Sequence, residues 1–192
     1  MTSSAQVVWL ALPLILAGLV HVAVLERGLL VTLAELPLDG GLLVRGRRLL
    51  GAHKTLRGVV VMVGATIAFV CLQASLARHY GWARRLSLVD FEHTSALVWG
   101  LVLGGGYLAG ELPNSFAKRQ LGAAPGERPP GRLAPVFWLA DQLDSLAGAL
   151  LFMCAVWVPP GTVVVGLLAL TLVVHPAVAL LMVALGLKHR IG

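Results

Sequence analysis

Two aspartates, Asp141 and Asp144, stand three residues apart inside an otherwise apolar run of the 192-residue chain. On a helix that spacing turns both carboxylates to one face. Two unpaired carboxylates at close range repel, and one stays protonated unless a cation or a basic side chain meets them. An acid inside a bilayer also costs about 2.5–3.5 kcal/mol on insertion scales, so a pair in one span calls for a partner. Two partners fit. One is Mg²⁺, a hard cation commonly held by one or two carboxylates while substrate phosphates complete its shell. The other is an ion pair with Lys118, Arg119 or Arg132. Ser145 and Gly148 keep the neighbouring surface small, which leaves room for a ligand.

Two polar segments could bring anions to such a pair. The first contains Asp39 and then Arg47, Arg48, Lys54, Thr55 and Arg57, interleaved with Gly46 and Gly51. Glycine lets backbone N–H groups approach a ligand closely, and arginine suits bidentate contact with phosphate oxygens. The alternative is that these basic residues only fix membrane topology. The spacing Gly-x-x-x-x-Gly-Lys-Ser/Thr is absent, so this is not a P-loop. The second segment, 111–122, reads as a polar loop after a short apolar run. Pro113 is expected to start a new turn there, with Asn114 or Ser115 as its cap or as a ligand contact. Lys118 and Arg119 follow within about one turn, a placement suited to anion binding.

The elements that must position these residues are membrane helices. Hydrophobic residues make up 58% of the chain and charged residues only 12%, against about 25% charged in soluble domains. Apolar runs at 7–25, 58–76, 94–110, 133–158 and 162–187 predict five spans, since about 20 residues cross the hydrocarbon core. The fold expected is an all-α integral membrane protein, one polytopic domain over residues 1–192. Gly104, Gly105 and Gly106 are expected to thin, kink or unwind the third span, and Pro176 to kink the fifth. The N-terminal run lacks the basic flank of a secretory signal and reads as a retained first helix.

Charge sets the expected orientation. Arg27, Arg45, Arg47, Arg48, Lys54 and Arg57 follow span one, Lys118, Arg119, Arg128 and Arg132 follow span three, and Lys188 and Arg190 end the chain. The opposite side carries Arg78, Arg84 and Arg85, in a segment with Asp90, Glu92 and His93 that reads as solvated surface. The positive-inside rule then puts the N-terminus outside and both polar loops in the cytoplasm. The net charge of +6 is spent on topology and anion contact, so nucleic acid is not an expected partner. Cys71 and Cys154 show no paired spacing, and the six histidines form no His-x-x-x-His pair, so neither a disulfide framework nor a His-based metal site is expected.

Three ordered motifs, Gly46-Arg-Arg-Leu-Leu-Gly-Ala-His-Lys-Thr-Leu-Arg-Gly58, Leu112-Pro-Asn-Ser-Phe-Ala-Lys-Arg119 and Asp141-Gln-Leu-Asp144, together resemble the CDP-archaeol synthase family. That family is distantly related to the CDP-diacylglycerol synthases, whose signature begins Ser-x-x-Lys-Arg and ends Asp-Arg-x-Asp. Ser115, Lys118 and Arg119 fit the beginning. Asp141 and Asp144 fit the end, with Gln142 where arginine is usual. The intervening Lys-Asp and His-Gly-Gly elements are missing, which favours the compact archaeol-type branch. The resemblance implies Mg²⁺-dependent cytidylyl transfer from CTP to an unsaturated archaetidic acid, with release of pyrophosphate. It implies Asp141 and Asp144 as metal ligands and catalytic residues with Lys118 and Arg119. Asp39, Arg47, Arg48, Lys54, Thr55, Arg57, Asn114 and Ser115 become substrate contacts, facing the cytoplasm in a multi-pass protein of the cell membrane.

Other readings stay open at this level. The same centre could activate another lipid phosphate such as phosphatidate, or the chain could be a scaffold or transporter that binds anionic lipids. A CDP-alcohol phosphotransferase does not fit, because Asp39-Gly40 is followed by Gly41-Leu42-Leu43-Val44 rather than x-x-Ala-Arg. The chain is compatible with an intramembrane homodimer.

Overall fold

The computed structural model describes residues 2–187. Lys188 and Arg190, counted above in the charge argument, lie outside the described residues. Among the described residues, five helices are long and apolar enough to cross a membrane: α1 (Ser4–Glu26), α3 (Leu56–His79), α5 (Ala96–Gln120), α6 (Ala134–Met153, entered through a 3₁₀ turn at Gly131–Leu133) and α7 (Gly161–Ala184). Between α1 and α3 lie a single helical turn, α2 (Val31–Ala34), and a small antiparallel hairpin of β1 (Leu43–Val44) and β2 (Arg47–Arg48). A short helix, α4 (Gly81–Leu86), links α3 to α5 at the other end.

Two helix ends differ from expectation, and two expected interruptions are absent. α5 continues through Glu111, Asn114 and Lys118 to Gln120, so 111–120 is helix rather than loop. Pro113 lies inside it and starts no new turn. Membrane helices tolerate proline because neighbouring side chains can meet the carbonyl it leaves unbonded. Gly104, Gly105 and Gly106 do not unwind the helix either. α6 stops at Met153, five residues short of the apolar run, as the chain turns towards Pro159-Pro160. α7 runs through Pro176 without a break.

Proline in α1 shows how the bundle compensates. Pro13 has no N–H for the carbonyl four residues earlier, that of Trp9. Gln73 of α3 supplies the missing donor, its Nε2 lying 2.6 Å from the Trp9 carbonyl. Gln73 is itself buried.

The apolar core occupies one end of the bundle. Val7 and Leu10 of α1, Val70 of α3, Trp99 and Leu103 of α5, Met153 of α6 and Val163 and Leu167 of α7 pack there. Outward faces carry exposed Leu151, Val165 and Val173, a pattern that only a lipid surround makes economical. At the other end the contacts become polar. α5 and α6 meet there on glycine: a Cβ on Gly110 would fall 2.1 Å from the Asp144 carbonyl oxygen, and one on Gly148 would fall 2.2 Å from the Gly106 carbonyl oxygen. Nothing larger fits, so the two backbones touch and the side chains one turn further on are forced together.

Candidate active site

Because α5 is continuous, Tyr107, Glu111, Asn114 and Lys118 recur at helical spacing and share one face. That face meets Asp141, Asp144 and Ser145 of α6. The Asn114 amide nitrogen donates to Asp141 Oδ1 and to Asp144 Oδ2, both at 2.7 Å, and so bridges the two carboxylates. The Lys118 ammonium pairs with Asp141. Their side chains are only 14% and 16% exposed, so solvent screens this pair little. Ser145 donates its hydroxyl to Glu111 Oε1 at 2.9 Å and its backbone N–H to Asp144 Oδ1 at 2.6 Å. The other oxygen of Glu111 pairs with Lys54 at the start of α3. Lys54, Asn114, Lys118, Asp141 and Asp144 thus form one cluster at the mouth of the bundle.

The cluster has the chemistry for a hard cation. Asp141 and Asp144 offer carboxylate oxygens, and Asn114 Oδ1 is buried with no hydrogen-bond partner. An orphaned buried acceptor needs an explanation. Turned over, the Asn114 amide would bring this oxygen to the two carboxylates, where a cation would meet it. Among the described residues no three His, Cys, Asp or Glu side chains form a ready-made cage. This donor set fits Mg²⁺, which keeps several waters and completes its shell with substrate phosphates.

The second group forms in the connection between α1 and α3. Arg45 and Gly46, both at positive φ (52° and 75°), make the two-residue turn of the hairpin. This mirror-type turn matches the strand twist and sets Arg47 and Arg48 in the second strand. Asp39 organises the loop. It is 3% exposed, pairs with Arg48, and accepts the backbone N–H groups of Gly41 (3.1 Å), Leu50 (3.0 Å) and Gly51 (3.1 Å). The Arg48 guanidinium, seconded by those N–H groups, holds the Asp39 carboxyl well below the usual carboxylate range. The N–H of Gly51, which the sequence offers to a ligand, is therefore given to Asp39.

The C-terminal turn of α5 meets this loop. Arg119 turns away from the acid pair and is buried, with its Nη2 donating to the Ala124 carbonyl at 2.9 Å. Gly51 leaves it space: a Cβ there would come within 3.1 Å of Arg119 Nη1. Arg47 donates to the Gln120 carbonyl. Arg47, Arg48, Arg119, Gly122, Ala123 and Pro125 line a cleft of about 350 Å³. Arg119 Nε and Gln120 Nε2 are buried donors without a partner. The idle donor of Arg119 beside two further guanidiniums suits the cleft to an anion.

The remaining expected residues lie at the margins. Arg57 donates to the Leu29 carbonyl at 3.4 Å. Thr55 flanks the start of α3 without capping it through its hydroxyl. Ser115 follows Asn114 by one position, which turns it about 100° around α5 from the bridging amide. Arg132 is exposed and is not the partner of the acid pair.

Comparison with known proteins decides what the site belongs to. Residues 5–191 match the family model described as CarS-like, CDP-archaeol synthase. The chain belongs to the CDP-archaeol synthase family. Membership makes it a CTP-dependent cytidylyltransferase. A CDP-archaeol synthase of Methanopyrus kandleri is 42% identical over 142 residues, covering 72% of this chain and 69% of that protein. One from Halorubrum lacusprofundi is 35% identical over 162 residues, 80% and 82% of the two chains. Among solved structures, one described as an intramembrane enzyme for archaeal membrane lipids biosynthesis superposes with a TM-score of 0.59 at 29% identity, covering 88% of this chain and 90% of that one.

Three residues of this CDP-archaeol synthase site escape the sequence reading. The sequence pattern puts Glu111 in a loop, although its spacing to Asn114 and Lys118 is that of one helical face. Ser145 reads in the sequence only as a small neighbour. His21 of α1 lies among Glu111, Lys54 and Arg57, and its Nδ1 is buried without a partner. Nothing in the local sequence distinguishes it from a packed histidine.

Proposed function

We propose that this protein transfers the cytidylyl group of CTP to an isoprenoid ether-lipid phosphate of the unsaturated archaetidic acid type. In this reaction a lipid phosphate oxygen attacks the α-phosphorus of CTP. The bond from that phosphorus to the α,β-bridging oxygen breaks, and pyrophosphate leaves. The observation that carries the reading is the Asn114 amide spanning Asp141 and Asp144 beside Lys118.

The attacking phosphate is already an anionic nucleophile, so no general base is required. The protein's task is to bring two polyanions together and to offset the charge that develops on the phosphoryl oxygens. Asp141 and Asp144, with Asn114 turned to present Oδ1, would hold Mg²⁺, which would draw charge from the phosphoryl oxygens. Arg47, Arg48 and Arg119 receive the triphosphate in the basic cleft. Lys118, one residue before Arg119 on α5, joins that cleft to the acid pair. Lys54 and Arg57, at the start of α3, face the lipid phosphate. Asp39 serves through Arg48 and the loop backbone rather than by touching CTP. With the positive-inside rule, this end of the bundle faces the cytoplasm, where CTP is made.

The test is pyrophosphate release from CTP by detergent-purified protein with Mg²⁺. The lipids are digeranylgeranylglyceryl phosphate, phosphatidate and a polyprenyl phosphate. Turnover with the first alone supports the reading. Preference for phosphatidate would move the substrate to ester lipids, and no turnover with any lipid would overturn it.

A further inference from the structure

α7 is a candidate span of mean hydropathy 2.4, yet it carries His175 near its middle. An ionisable side chain at such a position marks function more often than packing, and its partner shows what it serves. One partner is Gln142 of α6: His175 Nδ1 lies 2.9 Å from Gln142 Oε1. An amide oxygen only accepts, so Nδ1 carries the proton. Gln142 is 3% exposed and stands between Asp141 and Asp144 in the chain. At about 100° per residue, Asp141 and Asp144 project roughly 100° and 160° around α6 from Gln142. Fastening Gln142 to α7 therefore fixes which way the two carboxylates face.

The other side of α6 is set by different means. Gly106, Gly110 and Gly148 bring α5 and α6 together but offer smooth surfaces, which limit distance better than rotation. Asn114 bridges the carboxylates only if they already face it.

We propose that His175 is a positioning residue for the active site: through Gln142 it sets the rotation of α6 that presents Asp141 and Asp144 as a pair. The inference rests on the reading of that pair as the cation site. Loss of the donor leaves the Gln142 oxygen buried without a partner, and the acid pair turns out of register with Asn114.

The experiment measures Mn²⁺ binding by electron paramagnetic resonance on detergent-purified protein, beside CTP turnover and thermal stability. Supporting partners of metal ligands commonly change affinity or activity by about 10–100-fold. His175→Ala is expected to weaken Mn²⁺ binding and lower kcat by about tenfold, at the low end of that range. His175→Asn, whose amide nitrogen can take the place of Nδ1, is expected to restore both. Gln142→Leu should match His175→Ala, and the double variant should be no worse than either. Unchanged Mn²⁺ affinity in His175→Ala overturns the proposal, whatever happens to thermal stability. Failure of the Asn rescue overturns it as well. If Asp144→Asn also keeps full Mn²⁺ affinity, the cation site itself is misassigned. If Asp144→Asn loses binding while His175→Ala keeps it, only the role of His175 falls.

Discussion

Gly110 of α5 and Gly148 of α6 lie so close that a methyl group on Gly148 would fall 2.5 Å from the Gly110 Cα. This contact is the hinge pin of the site, because Asn114 stands one turn from Gly110 and Asp144 one turn from Gly148. Neither helix can relax by moving a side chain, since the clash is with backbone. Gly110→Ala and Gly148→Ala are each expected to destabilise the protein by about 3 kcal/mol, the upper end for overpacking. Turnover should fall further than the loss of folded protein explains. Thermal unfolding in detergent measured beside specific activity separates the two effects.

Removing the carboxylate of Asp144 removes half of the bridged pair and leaves the Asn114 amide with Asp141 alone. Asp144→Ala should lower kcat/KM by about 100-fold or more, in the range found for loss of one preorganised electrostatic group. Asp141→Ala should do the same and also free Lys118. Chelation of divalent cations should abolish turnover in the parent protein, and added Mg²⁺ should restore it. Full CTP-dependent turnover by Asp144→Ala would refute the metal assignment.

Asp39 predicts a different kinetic signature. It is bound to Arg48 and to three backbone N–H groups, and Arg48 lines the basic cleft. Asp39→Asn should raise KM for CTP by about tenfold, the effect of weakening one charge-assisted contact, with kcat little changed. The sign of its pH dependence follows from its depressed pKa. The stabilisation is present above the ordinary carboxylate value and is lost as pH falls through the depressed one. Arg48 and Asp39 should therefore stay paired in mildly acid solution. A KM for CTP that rises between pH 6 and about pH 5, above the ordinary carboxylate range, would count against this.

At the opposite end, His93 Nδ1 lies 2.7 Å from Asp90 Oδ2. The hydrogen bond raises the His93 pKa and lowers that of Asp90. His93 contributes stability below its ordinary value, lost as pH rises through its raised one. Asp90 contributes above its ordinary value, lost as pH falls through its lowered one. The difference in melting temperature between the parent and His93→Ala should be greatest near pH 5, between the ordinary carboxylate and imidazole values, and shrink as pH rises into the alkaline range. A difference that persists unchanged at high pH would rule out the ion pair as its source.

The spans were legible in the sequence because length and hydropathy are properties of one segment at a time. The acid pair was legible for the same reason: Asp141 and Asp144 carry their shared face in their spacing. What the sequence concealed were relations between segments. Pro113 reads as the start of a turn, which puts Glu111 in a loop. Once α5 is seen to run on, Tyr107, Glu111, Asn114 and Lys118 fall on one face. The glycines at 104–106 looked like a weakness in one helix, whereas Gly106 and Gly110 are the price of contact with another. Arg119 looked like a companion of Lys118, but a step of about 100° sends it to the loop instead.

Gln73 of α3 completes the Trp9 carbonyl that Pro13 leaves bare. Taken alone, α1 would enter the bilayer with a naked peptide oxygen, a poor guest in hydrocarbon. Its full stability arrives only when α3 has been made and delivered alongside it. α1 is thus an unfinished part until α3 lies against it, and the pairing of the two is written into one side chain.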